Sequence, residues 1–79
     1  MPEVLRLFGL KFYIYTRDHQ PPHVHVRSQD GEAKFCINEK KIELMEVKNM
    51  KSKDVKLAES ILEDNINNIL KEWIKIHGE

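Results

Sequence analysis

Three of the four histidines fall within one short segment, Asp18-His19-Gln20-Pro21-Pro22-His23-Val24-His25-Val26. Histidine gains and loses a proton near neutral pH and is a common nitrogen ligand for metals. Side chains two apart on a strand share a face, so His23 and His25 point the same way if this stretch is extended. That spacing is open to three readings. In the first, His23 and His25 chelate zinc or another divalent ion. His19 or Asp18 adds a ligand from a loop stiffened by two prolines, and a position is left for water. A closed structural zinc site takes four ligands, and Cys36 would have to come from a neighbouring strand. In the second, His19, His23 and His25 move protons in RNA cleavage. Arg27 then stabilises charge at phosphorus, and Tyr13 or Tyr15 shares the face. In the third, Asp18-His19 caps a turn, Pro21-Pro22 starts an edge strand, and the histidines are surface residues or bonded to backbone. A variant of this last reading has Pro21, Pro22 and the flanking aromatics docking a partner protein.

The elements that would carry this segment are strands. Lys11 to Thr16 is dense in aromatic and β-branched residues and predicts a strand after the Phe8-Gly9 bend. Residues 23–28 and 33–37 predict two more, joined through the Asp30-Gly31 hairpin signal. Residues 41–44 predict a short fourth. Alternation places Val24, Val26, Ala33, Phe35, Ile37, Ile42 and Leu44 on one face. His23, His25, Arg27, Lys34, Cys36, Lys41 and Glu43 fall on the other. The first strand is apolar on both sides. If Phe12 and Ile14 point inward, Tyr13 and Tyr15 join the histidines.

The second half predicts a single helix over residues 53–77, about 36 Å long at 1.5 Å per residue. Val55, Ala58, Leu62, Ile66, Ile69, Trp73 and Ile76 step by three or four and form one stripe. Ser52 suits the N-cap, Asp54 the positive end of the dipole, and Gly78 the left-handed C-terminal position. Trp73 is read as core, His77 as a partner of the helix dipole, and Cys36 as an inert thiol. Ile61, Leu70 and Ile74 widen the apolar face and predict a docking flank. Asn65, Asn67 and Asn68 are poor helix formers in its middle.

Composition bounds the rest. Thirteen basic residues balance thirteen acidic ones, both evenly spread, so no basic arm exists for binding mainly through phosphate neutralisation. One cysteine cannot form an internal disulfide. No secretory leader and no apolar run long enough to span a bilayer are present, which predicts a cytoplasmic protein with no membrane partner.

Met1-Pro2, Phe8-Gly9, the Asp18–Val26 core, Ala33 and the late Trp73 together resemble the bacterial domain-of-unknown-function family 4160. The likeness covers nearly the whole chain, and its double-proline histidine core is quite specific. It departs at Asn49-Met50-Lys51, where family members often have Leu-Pro. The resemblance implies a small curved sheet with one long helix, and singles out His19, Pro21, Pro22, His23 and His25. It also implies a neighbouring gene from a second small family, number 2442, in a toxin–antitoxin-type pair. The expectation is therefore an α+β domain, residues 1–79, with an antiparallel sheet of three to four strands on one long C-terminal helix. Its expected role is protein interaction within a two-gene module. The expected partners are the neighbouring gene's product, RNA or DNA reached with that partner, and a second copy of the chain. The competing expectation is a histidine-dependent nuclease, with or without a divalent metal.

Overall fold

The alternating first half folds as an antiparallel meander, and the apolar stripe of the second half covers one side of it. The computed structural model describes residues 3–17, 19, 21–38 and 41–78. Five strands, β1 (Glu3–Leu7), β2 (Leu10–Tyr13), β3 (His23–Arg27), β4 (Glu32–Asn38) and β5 (Lys41–Lys48), precede two helices, α1 (Ser52–Asp64) and α2 (Ile66–His77). Each strand pairs with its neighbour in the chain, so β1 and β5 form the edges.

Phe12, Ile14, Val24, Val26, Phe35 and Ile37 are buried toward the helices, with Leu10 and Ala33 beside them. Ala58, Leu62, Ile69 and Trp73 close the same core, and Val55, Ile66 and Ile76 pack at its margin. The whole predicted stripe is used. Burying each large apolar side chain contributes about 1.5–3 kcal/mol, so this layer holds the domain together. His77 stacks on Trp73, ring centroids 3.7 Å apart, and its Nδ1 donates to the Trp73 carbonyl oxygen at 3.0 Å. Gly78 takes a left-handed φ of 74° and ends α2.

The α+β class agrees with the sequence, but the element count does not. There are five strands rather than three or four, and two helices rather than one. β1 escaped the pattern because Leu and Arg have little strand preference and Val4 is an extra residue. Glu3 faces Tyr13 while Leu5 faces Phe12. The strand expected over 11–16 runs Leu10–Tyr13, since Thr16-Arg17 is already a turn. β5 continues four residues past Leu44. The helix breaks at Asn65, with φ −117° and ψ 17°. There the side-chain amide donates to the Ile61 carbonyl oxygen at 2.9 Å, competing with the backbone ladder. The run of asparagines thus marks a joint. Lys51, not Ser52, occupies the N-cap position, without a side-chain cap bond.

Two turns show different uses of glycine. Phe8 and Gly9 have φ of 52° and 78°, the pattern of a two-residue hairpin turn. Glycine fits there, but Phe8 is a bulky residue in the left-handed region, with 76% of its surface exposed. Gly31 is needed for space instead. A Cβ at Gly31 would overlap the Lys48 carbonyl oxygen and the Asn49 backbone. The turn itself is held by Ser28, whose N–H donates to the Gly31 carbonyl at 2.8 Å. Its hydroxyl accepts from the N–H groups of Asp30 and Gly31.

Two stability outcomes follow. Gly31→Ala forces the β5–α1 junction apart and lowers unfolding stability by about 1–3 kcal/mol, read by urea denaturation. Phe8→Asn relieves the left-handed strain and raises it by roughly 1 kcal/mol in the same assay.

Candidate functional site

Both helices lie on one side, so the opposite sheet face carries no helical cover. Strand register orders its side chains into rows. Lys11, Arg27, Glu32 and Lys48 lie side by side across β2 to β5. Tyr13, His25, Lys34 and Glu46 form the next row, and His23, Cys36 and Glu43 the third. Because Phe12 and Ile14 are fully buried, Tyr13 and Tyr15 do join the histidine face.

The second row is built around rings. Tyr15 stacks on His25 with centroids 4.0 Å apart and 13° between the planes. The Arg27 guanidinium sits over the Tyr13 ring, 5.7 Å from its centroid, and pairs with Glu32 at 3.8 Å. These side chains, with Lys34, Glu46 and Lys48, line a recess of about 200 Å3. Glu46 and Lys48 pair at 3.8 Å on its far wall. At these distances and exposures the ion pairs are worth little, so their partners exchange readily with a ligand.

The structure gathers only part of the predicted site. Tyr13, Tyr15, His25 and Arg27 meet in the recess. His23 is half-buried one row along, opposite Cys36. His19 is exposed in the connection between β2 and β3, outside the recess. Pro21 is exposed and Pro22 half-buried. The Ile37 N–H donates to the Pro22 carbonyl oxygen at 2.8 Å, so the second proline fastens the start of β3 to β4. Asp18, proposed as a metal ligand, lies outside the described residues. Among the described residues, no three of His, Cys, Asp and Glu are placed to hold a metal ion. The His23–Cys36–Glu43 row has ligand-type side chains without ligand geometry.

The apolar surface is also redistributed. Ile61 is buried and Leu70 packs against the core, so of the predicted helix flank only Ile74 is well exposed. On β5, Met45 is an extra residue: Lys34 faces Glu46 while Phe35 faces Leu44. Leu44 and Val47 point to the helix side, opposite the buried Phe35 and Ala33, yet stay exposed. Leu44, Met45 and Val47 are 41–53% exposed on an open edge strand. Leu44 was expected in the core, and the apolar run Leu44-Met45-Val47 was the signal that β5 goes on. Glu46 and Lys48 were missed as recess residues for the same reason.

The domain defined here is a five-stranded meander with one helix-covered face and one open aromatic and basic face. A family model described as a domain of unknown function, DUF4160, matches residues 9–74, and the chain belongs to that family. No curated protein and no solved structure matches it. Among the described residues, no helix is long and apolar enough to cross a membrane.

Burial pushes the Cys36 thiol up from its ordinary range, and the nearby Glu43 carboxylate adds to this. A thiol raised in the folded state contributes fully to stability below its unfolded pKa, and that contribution is lost as pH rises through the folded value. Native Cys36 should resist iodoacetamide at pH 8 and react promptly in urea, as mass spectrometry would show.

Proposed function

We propose that this domain is a protein-interaction component of a bacterial two-gene, toxin–antitoxin-like module, acting in the cytoplasm. The observation that carries this reading is the exposure of Leu44, Met45 and Val47 on the open edge strand β5. An edge strand offers unpaired backbone donors and acceptors, and proteins usually blunt such edges with charge or short length. β5 is eight residues long and keeps apolar side chains on the side where a partner would extend the core. The even charge of the chain suits recognition by shape and apolar contact rather than by a polyanion. The partner is the product of the adjacent gene, which lays an extended segment along β5 and covers Leu44 and Val47.

Co-expression of the two products and size-exclusion chromatography test this reading. A stable complex is expected, and Leu44→Lys with Val47→Lys should abolish it. As surface changes away from the core, these substitutions alter unfolding stability by roughly 0.5 kcal/mol or less. A chain that ignores its gene neighbour, or a complex indifferent to both lysines, defeats the proposal.

A further inference from the structure

We propose that the recess on the open sheet face binds a nucleotide unit, a planar base carrying a phosphate. The reading is independent of docking along β5. Its first support is the ring chemistry. Tyr15 and His25 already stand nearly parallel at 4.0 Å, and Tyr13 carries Arg27 on its face. Such surfaces accept a further flat heterocycle by stacking, worth about 1–3 kcal/mol per base and indifferent to base identity.

Size sets how much of the ligand enters. A recess of about 200 Å3 is smaller than ordinary drug-sized pockets, so it admits one ring system and leaves the phosphate at the rim. The rim is where the cations are. Arg27 holds Glu32 only at 3.8 Å with about half of each side chain exposed, so a phosphate can take the guanidinium fork in its place. Lys11 and Lys34 make no ion pair among the described residues, and they flank Arg27 in the first two rows. Glu32 and Glu46 alternate with these cations, so the face is not a continuous phosphate track. The ligand is therefore a single unit rather than a duplex. It is either a free mononucleotide or one residue of a single-stranded RNA.

Titrations of 15N-labelled protein with AMP, ribose 5-phosphate and a single-stranded hexaadenylate test the assignment. Amide shifts are expected at residues 13, 15, 25, 27 and 34 with AMP and with the RNA. Ribose 5-phosphate, which lacks the base, should bind at least about tenfold more weakly than AMP. Tyr15→Ala and Arg27→Ala should each reduce AMP affinity about tenfold with unchanged circular dichroism, while Lys56→Ala on α1 leaves it intact. RNA binding tighter than AMP supports the site with single-stranded RNA as its source, and equal affinities support it with the free nucleotide. Absence of shifts at these residues with both ligands overturns the proposal. So does ribose 5-phosphate binding as well as AMP.

Discussion

The packing of Trp73, Leu62 and Ile69 into the same core as Phe12 and Phe35 decides which side of the sheet this chain can use. A sheet of five strands has two large faces, and the two helices cover one. The residues on the covered face have no choice but to be apolar. Those on the other face are released from the core and can be selected for chemistry. The Tyr15–His25 stack, the Arg27–Glu32 and Glu46–Lys48 pairs and the side chains of His23 and His25 collect on that released side. Function here is what remains once the core has taken what it needs.

The core itself was legible from periodicity. The stripe from Val55 to Ile76 and the alternation of Val24, Val26, Phe35 and Ile37 left little freedom in what faces what. The open face followed by subtraction for His25 and Arg27, whereas Tyr13 and Tyr15 belonged there only if Phe12 and Ile14 pointed inward, as their full burial shows they do. What escaped were breaks in period. Val4 and Met45 each insert one residue into a strand, and an inserted residue erases the two-residue rhythm on which a strand is recognised. Asn65 breaks the helix by a side-chain bond whose geometry no composition reveals. Ile61, Leu70 and Ile74 appeared surplus on a straight helix. Once the chain bends at Asn65, two of the three serve the core. The association of His19 with the other histidines rested on sequence proximity and on the family resemblance, and the structure leaves it exposed in the connection between β2 and β3.

Local conflicts with folding preference concentrate outside the core. Phe8 holds an unfavourable backbone conformation while its ring faces solvent, and Leu44, Met45 and Val47 expose apolar surface on an edge. Among the described residues the buried core contains only apolar side chains and the Cys36 thiol, with the Trp73 indole nitrogen buried there without a hydrogen-bond partner. Natural sequences tolerate such contradictions where something other than stability is being selected. The hairpin tip at Phe8 and the β5 edge are two places where this chain departs from its own folding interest.

The inserted residue at Met45 has one more effect. Two copies of a strand meeting about a twofold axis pair residue by residue, and opposite residues must lie on the same side of the sheet. Before the insertion, Lys41 and Glu43 face one side and Ile42 and Leu44 the other. After it, even-numbered Glu46 and Lys48 take the side held by the odd-numbered residues, and Val47 joins Leu44. The two stretches are out of step, so a regular strand that pairs residue by residue through Met45 matches the facing of only one of them. A strand with a matching irregularity meets no such limit, whether it is foreign or a second copy that sets Leu44 opposite Val47. The longest edge of the sheet therefore favours neighbours whose own rhythm breaks opposite Met45.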